Sequence, residues 1–146
     1  MKRMPQILLA LTLLIVTSCS SDDDNNGNQN SNNEELIIGS WTWSAQSENG
    51  IDVGPLSECE LLETLVFDGQ QVEQIDYSGS NCDQAFSSTE NYSIMGDVLI
   101  FSDIDDQTDS YSEEIIELNN TTLRLRYEEN FDAETFIIID TYTRVQ

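Results

Sequence analysis

The sequence predicts an all-β fold, either an up-and-down antiparallel barrel of eight strands or, as the alternative, a β-sandwich. Three observations lead to this prediction. Short runs rich in β-branched and aromatic residues recur from residue 34 onward. Turn-forming residues separate the runs, and the Asp-Gly pair in Phe67–Gln71 is the strongest of these signals. No segment of this region carries a convincing helical pattern.

Eight runs are predicted to be strands. Turns at Met95–Val98 and Leu118–Thr122 resemble the Asp-Gly turn. The run Leu123–Tyr127 alternates, which places its two leucines and its tyrosine on one face and its two arginines on the other. Ser57–Leu65 has some helical spacing, but the residues that follow favour a strand at its end. The predicted strands are Leu36–Gln46, Glu60–Phe67, Gln71–Tyr77, Gln84–Ser93, Asp97–Asp103, Ser110–Leu118, Thr122–Glu128 and Thr135–Val145.

The N-terminal residues 1–18 have the pattern of a signal peptide. Lys2 and Arg3 precede an apolar run of ten residues, Ile7–Val16. A helix of this length is too short to cross the roughly 30 Å hydrocarbon core of a bilayer. A short apolar run behind a positive terminus is typical of a secretory signal.

The segment Val16–Cys19 resembles the lipobox of bacterial lipoproteins, because two small residues precede a cysteine at the end of the apolar run. The resemblance implies cleavage before Cys19, lipid on its sulfur and acylation of its new amino group. The acidic run Ser20–Asp24 resembles a signal that directs lipoproteins to the outer face of the outer membrane. We therefore expect an outer-membrane lipoprotein exposed at the cell surface.

Residues 19–33 are predicted to form a lipidated cysteine followed by a flexible tether. From Ser20 to Asn33 the chain contains no apolar residue. Such a segment buries too little surface to order itself. The barrel domain is accordingly predicted to comprise residues 34–146.

Composition excludes several classes of function. The formal net charge of −23 opposes binding to nucleic acid or to anionic lipid headgroups, and it favours a monomer. The chain contains no histidine, and its only lysine, Lys2, belongs to the signal segment. These absences remove histidine-dependent catalysis, histidine-ligated metals and Schiff-base chemistry. We expect no enzymatic activity, no cofactor and no resident metal.

Cys59 and Cys82 are predicted to form a disulfide. An exported protein folds in an oxidising compartment, where two remaining cysteines most often pair. The two residues flank the predicted Asp-Gly hairpin at its open end, so they are expected to lie close together. The bridge would add roughly 3 kcal/mol on the loop-entropy account.

The acidic run Asp103–Glu114 partly matches a calcium loop. Asp103, Asp105 and Glu114 occupy the first, third and twelfth positions of an EF-hand pattern. Gln107 and Thr108 replace the expected acid and glycine, and no helices flank the run. An EF-hand is therefore disfavoured, while weak calcium binding and a solvated loop both remain open.

A family resemblance follows from the order of these segments. Leu36–Trp43 carries Gly39-x-Trp41, which resembles the G-x-W signature of lipocalins. Glu63–Gln74, Tyr92–Phe101, Glu114–Tyr127 and Thr141–Val145 look like the matching parts of bacterial lipocalin-like lipoproteins. The resemblance implies an eight-stranded barrel, closed at one end by Trp41 beneath Arg144. A guanidinium over an indole ring contributes about 0.5–2 kcal/mol.

The resemblance also implies an interior that holds a small apolar ligand. An eight-stranded barrel has room either for its own side chains or for one small ligand. A filled barrel whose loops dock an envelope or extracellular partner is therefore the alternative function. The candidate ligand-lining residues are Leu65, Phe67, Tyr92, Leu99, Phe101 and Tyr127.

Overall fold

The computed structural model describes residues 26–146. The predicted signal segment, the lipidation site Cys19 and the first part of the predicted tether lie outside the described residues. Nine strands, one α-helix and one short 3₁₀ helix make up the secondary structure of the described part. The elements are α1 (Asn26–Ile37), β1 (Gly39–Glu48), β2 (Ile51–Asp52), the 3₁₀ helix Glu60–Leu62, β3 (Thr64–Phe67), β4 (Gln71–Ser78), β5 (Gln84–Met95), β6 (Val98–Ser102), β7 (Ser110–Leu118), β8 (Thr122–Phe131) and β9 (Glu134–Arg144).

The predicted barrel of eight antiparallel strands is confirmed. Strands β1 and β3 to β9 pair with their neighbours in chain order, and β1 pairs with β9 to close the sheet. Strand β2 is a two-residue extension paired with the end of β1. Bulges shift the register after Trp43 in β1 and after Ile115 in β7. Such bulges increase the local bend that a closed barrel requires.

The helix α1 corrects the sequence prediction. The chain was expected to contain no helix and to stay flexible as far as Asn33, but Asn26–Ile37 is helical. Asparagine and serine are weak helix formers, so composition gave no signal for it. Two contacts connect the helix to the barrel. Ile37 is fully buried in the core, and the Asn33 amide donates a hydrogen bond of 3.4 Å to the Gly96 carbonyl.

The same helix moves the start of the first strand. Leu36 and Ile37 complete the last turn of α1, so β1 begins at Gly39 rather than at Leu36. The second predicted strand is also shorter than expected, because Glu60–Leu62 forms a 3₁₀ helix and pairing begins at Thr64. No described helix is both long enough and apolar enough to span a membrane.

The apolar core fills the half of the barrel nearest α1. The alternation predicted for Leu123–Tyr127 is confirmed, since both leucines are buried and Arg126 forms ion pairs with Glu114 and Glu128 on the outer surface. We call this half the closed half and the opposite half, which carries the β1–β2, β4–β5, β6–β7 and β8–β9 turns, the open half. The largest fully buried side chains are Trp41, Phe67, Ile37, Leu99, Leu123 and Leu125.

Candidate functional site

The closed end is sealed by Trp41 and Arg144 against the end of α1. The Arg144 guanidinium carbon lies 4.2 Å from the centroid of the Trp41 ring. The Trp41 indole donates a 2.7 Å hydrogen bond to the Ile37 carbonyl. Arg144 donates to the carbonyls of Leu36 and Ile38. The pair therefore satisfies carbonyls that the helix C-terminus leaves without intrahelical partners.

Gly39 is required by this arrangement. Its φ of +127° lies in a region that residues with a side chain rarely adopt. A Cβ at this position would lie 2.7 Å from Nη1 of Arg144. The glycine of the G-x-W signature thus makes room for the arginine that covers the tryptophan.

A small cavity lies in the open half, above the apolar core. Its volume is about 40 Å³. Leu65, Val72 and Phe101 are buried and form its floor, while Gln74 and Ser88 are exposed at its rim. The remaining lining residues are Glu90, Tyr111, Glu113 and Tyr142.

Two stacked rings and one hydrogen bond organise the side of the cavity formed by β5, β6 and β7. The rings of Phe101 and Tyr111 stack with centroids 4.8 Å apart and planes 16° apart. The Tyr111 hydroxyl donates a 2.8 Å hydrogen bond to Glu90. Burial and the hydrogen bond to Glu90 both raise the pKa of Tyr111, so it remains a donor at neutral pH.

Asp140 lies beside the cavity and is the only buried acid among the residues whose burial is described. The Trp43 indole and the Gln46 amide donate hydrogen bonds of 3.2 and 2.9 Å to its carboxylate. Burial raises its pKa, and these hydrogen bonds act in the opposite direction. Tyr127, one of the predicted ligand residues, faces the same carboxylate.

Glu113 and Glu63 complete an acidic group around Asp140. Burial, reinforced by the charges of Asp140 and Glu90, raises the pKa of Glu113 to about 7. Burial also raises the pKa of Glu63 to about 7, with Asp76, Glu60 and Asp140 adding to the effect. The open half therefore concentrates carboxyl groups that hold protons near neutral pH.

No described basic residue faces this acidic group. Arg124 lies 3.7 Å from Glu117 in a surface ion pair, and Arg126 forms its ion pairs on the outer face. Arg144 is engaged at the closed end. Within residues 26–146, the carboxylates of the cavity thus have no positive partner.

The predicted disulfide is confirmed. Cys59 and Cys82 are bonded, with their Cα atoms 5.2 Å apart. The bridge joins the 3₁₀ helix segment to the β4–β5 turn at the open half. It fixes the long connection between β2 and β3 beside the mouth of the barrel.

The acidic run Asp103–Glu114 does not form a converging cluster of ligands. Asp103 accepts hydrogen bonds of 2.7 and 2.9 Å from the backbone amides of Asp105 and Asp106. Asp106 in turn accepts from the amide and hydroxyl of Thr108. Among the described residues, no group of three or more acidic or cysteine side chains is arranged to hold a metal ion.

Comparison with known proteins places the chain in a family. The model of the lipocalin-like domain family matches residues 37–125. The chain belongs to the lipocalin-like domain family. The match extends from the end of α1 to the middle of β8. It therefore includes the closed end at Trp41 and the cavity strands β3 to β7.

Two solved structures share the lipocalin-like fold of this chain. A lipocalin-like protein from Bacteroides uniformis is 12% identical with a TM-score of 0.53, and the alignment covers 75% of this chain and 98% of that one. An uncharacterized protein from Bacteroides eggerthii is 10% identical with a TM-score of 0.54, over 74% of this chain and 98% of that one. No curated protein matches the sequence. At these identities the similarity establishes the fold alone.

The six predicted ligand residues of this lipocalin-like barrel separate into four places. Leu65 and Phe101 line the cavity. Phe67 and Leu99 are buried in the core below it, and Tyr127 faces Asp140. Tyr92 lines a different site, an open groove of about 430 Å³ between α1 and β5.

The polar residues of the cavity were not predicted. Glu113 and Asp140 occupy inward positions of β7 and β9, as shown by the burial of Ile115 and Ile138 two residues away on the same faces. The signal in the sequence was the position of Asp140. It alternates with apolar residues within Phe136–Tyr142, and therefore shares one face of β9 with the buried Ile138.

Proposed function

We propose that this chain is an outer-membrane lipoprotein whose lipocalin-like barrel binds a small molecule. The observation that supports binding is the cavity of about 40 Å³ in the open half, with an apolar floor and a polar wall. In the closed half the buried side chains pack around Trp41, and the larger space there is the open groove between α1 and β5. The apolar part of a ligand would contact Leu65 and Phe101.

The size of the cavity limits the ligand. Pockets for drug-sized ligands are typically about 300–1,000 Å³, whereas this cavity is about 40 Å³. The barrel is therefore suited to a small molecule, or to the end of a longer one that extends into the mouth. A barrel with a cavity of this size is intermediate between the two alternatives that the sequence left open, an apolar ligand cavity and a filled barrel.

Native mass spectrometry tests the binding function. The full chain, extracted from the cell envelope in a mild detergent, should retain a small-molecule mass that disappears on denaturation. Replacing Leu65 with Trp should fill the cavity floor and remove the retained mass. The matched control Ile100→Trp changes an outward position of β6 and should leave it unchanged. A bare mass in the native protein, repeated after incubation with metabolite extracts, would contradict the proposal.

Anchoring is supported by the lipobox-like segment Val16–Cys19 and the acidic run that follows it. A Cys19→Ser variant should lose incorporation of labelled fatty acid and leave the membrane fraction. Replacing Asp22, Asp23 and Asp24 with Ser should retain the lipid but reduce cleavage by protease added to intact cells. Unchanged lipid labelling in Cys19→Ser would refute the anchor.

A second candidate function is docking of a protein partner by the open-half loops. The observation that favours it is the exposure of large apolar side chains beside three turns of this half. Ile51 is 72% exposed, Phe86 is 58% exposed and Phe131 is 70% exposed. Replacing all three with Ser should abolish cross-linking to an envelope partner while leaving the retained small-molecule mass unchanged. Cross-linking that persists after the triple substitution would exclude these loops as the docking surface.

A further inference from the structure

The β4–β5 hairpin has a free backbone edge in the open half. Strand β5 pairs with β4 over residues 84–91, but it pairs with β6 only from Asn91 to Met95. Within residues 26–146, residues 84–90 therefore have no strand beside them on the β6 side. This part of β5 extends past the end of β6 and forms one side of the barrel mouth.

The backbone groups at this edge follow from the pairing with β4. The Tyr92 amide donates a 3.1 Å hydrogen bond to the Gln70 carbonyl, on the β4 side. Alternate residues of an antiparallel strand direct their N–H and C=O groups to the same neighbouring strand. Ala85, Ser87 and Thr89 consequently direct theirs away from β4, so each offers one donor and one acceptor to the solvent.

The β5 edge lacks the features that protect free strands from pairing. Proteins usually protect such edges with charged side chains, proline, bulges or a covering segment. Residues 84–89 include no charged residue and no proline, they pair with β4 without a register shift, and all of them are exposed. By contrast, the part of β8 that extends past its pairing with β7 carries Glu128 and Glu129. Of these two free edges, the β5 edge is therefore the one suited to accept a further strand.

The disulfide restrains the hairpin that carries this edge. Cys82, in the β4–β5 turn, is bonded to Cys59, in the segment that leads into β3. Strand β3 pairs with β4 on the side opposite β5. The bridge therefore fixes the tip of the hairpin without covering the free edge. A preorganised edge lowers the entropic cost of association.

We propose that residues 84–90 of β5 bind an extended segment of a partner protein as an additional strand, with basic residues at both ends of that segment. The proposal rests on the docking candidate and goes beyond small-molecule binding. An extended backbone supplies carbonyl and amide groups at the spacing that Ala85, Ser87 and Thr89 require. Each of these residues then exchanges hydrogen bonds with the partner strand.

The charges around the edge favour a basic partner. Asp83 precedes the uncharged stretch and Glu90 ends it. The β6–β7 turn, which continues from the end of β6, contains four aspartates. Lysine or arginine at the ends of the paired segment would face these carboxylates. A second copy of this chain would bring its own Asp83 and its own aspartates against them, so it is the less favourable occupant.

Phe86 provides an apolar contact within the uncharged stretch. Its side chain is 58% exposed and lies on the same face of β5 as Ser88 and Glu90, which line the cavity. A partner residue opposite Phe86 would belong to a non-hydrogen-bonded pair, in which the Cα atoms are about 4.5 Å apart. A β-branched residue at that position would pack against the exposed ring.

Labelled peptides as long as the edge test this docking by fluorescence anisotropy with the full detergent-extracted chain. The first peptide alternates valine and threonine and has a lysine at each end. The second has glutamate at each end, and the third is the lysine peptide with every backbone nitrogen methylated. At low salt, we expect the lysine peptide to bind about tenfold more tightly than the glutamate peptide. The methylated peptide should not bind, because it has no backbone donors.

A single substitution locates the binding on β5. Ser87→Pro removes the central outward amide, and proline is tolerated at a strand edge where its nitrogen faces solvent. This variant should lose binding of the lysine peptide. The matched control Ser87→Ala retains the amide and should bind as the native chain does. The peptide comparison uses the native chain, so the test does not depend on the folding of Ser87→Pro.

Each contrary result has a distinct meaning. Binding of the methylated peptide would overturn strand pairing, and equal binding of the glutamate peptide would overturn the basic partner. A dimer mass in the native spectrum that Ser87→Pro abolishes would assign the edge to a second copy. Absence of lysine-peptide binding would overturn the proposal, while the retained small-molecule mass and the cross-linking through Ile51 and Phe131 would still report on the two functions proposed above.

Discussion

The two halves of the barrel are built on opposite principles. In the closed half, the buried core is apolar, and Arg144 donates hydrogen bonds to the carbonyls of Leu36 and Ile38. In the open half, Glu63, Glu113 and Asp140 are held near one another, and no positive partner for them lies within residues 26–146. The first arrangement lowers the free energy of the folded state, while the second raises it. Acids retained at a cost to stability are typical of a binding or reactive site.

The largest expected effect on the free energy of unfolding comes from comparing one tryptophan of each half. Trp41→Ala should lower the free energy of unfolding by about 4 kcal/mol, because it removes a fully buried ring and the cover of Arg144. Trp43→Ala, in the partly buried open half, should cost about half as much. Both values follow from urea denaturation monitored by circular dichroism. Equal losses would mean that the open half contributes as much to stability as the closed half.

The disulfide is expected to have the next largest effect. Replacing Cys59 and Cys82 with Ala should lower the free energy of unfolding by about 3 kcal/mol, because the bridge closes a loop with a sequence separation of 23. The bridge lies at the open half, so its loss should also weaken ligand retention in native mass spectra. Retention that is unchanged in a variant of reduced stability would show that the β4–β5 turn is positioned without the bridge.

Gly39→Ala is predicted to destabilise the closed end by about 2 kcal/mol, through its positive φ and the contact with Arg144. Gly50→Ala is the matched control in the open half. Gly50 also has a positive φ, of +80°, but a Cβ there would meet nothing within 4 Å. Thermal unfolding of both variants separates backbone strain from the steric contact. A Gly50→Ala variant that loses as much stability as Gly39→Ala would show that the Arg144 contact adds nothing.

The sequence predicted the closed half better than the open half, for a physical reason. Hydrophobic alternation and turn chemistry located the strands, and the pairing of Cys59 with Cys82 followed from the hairpin between them. Trp41 and Arg144 were expected to meet from the family resemblance, and the structure places them in contact. These features depend on local pattern or on strand order alone.

The polar cavity depends instead on register. The bulges after Trp43 and Ile115 change which residues of β1 and β7 face inward. No turn-forming residue in the sequence indicates where these bulges lie. A shift of one residue exchanges the two faces of a strand, so the inward position of Glu113 was not evident beside Glu114. Helix α1 was missed because tertiary contacts, made by Ile37 and Asn33, hold a segment of low helix propensity.

The smallest predicted effect has the opposite sign to the others and concerns Glu113. A carboxyl whose folded pKa is about 7 rather than 4.5 prefers its protonated form in the barrel. Its contribution to stability is therefore complete below about pH 4.5 and is lost as the pH rises through 7. Glu113→Gln should remove this loss, so the variant should match the native protein at pH 4.5 and exceed it at pH 8. A shift of this size corresponds to about 3 kcal/mol at most, and solvent screening reduces the expected gain to about 1–2 kcal/mol.

The control for this prediction is the neighbouring residue. Glu114→Gln removes the same charge from the outer face, where Glu114 pairs with Arg126 at 3.0 Å. An exposed ion pair contributes about 0–1 kcal/mol, so this variant should show no gain at pH 8. If both variants gain equally at pH 8, the stabilisation reflects the net charge of the molecule rather than the position of Glu113. If only Glu113→Gln gains, the position of Glu113 in the barrel wall lowers the stability of the native chain above pH 7.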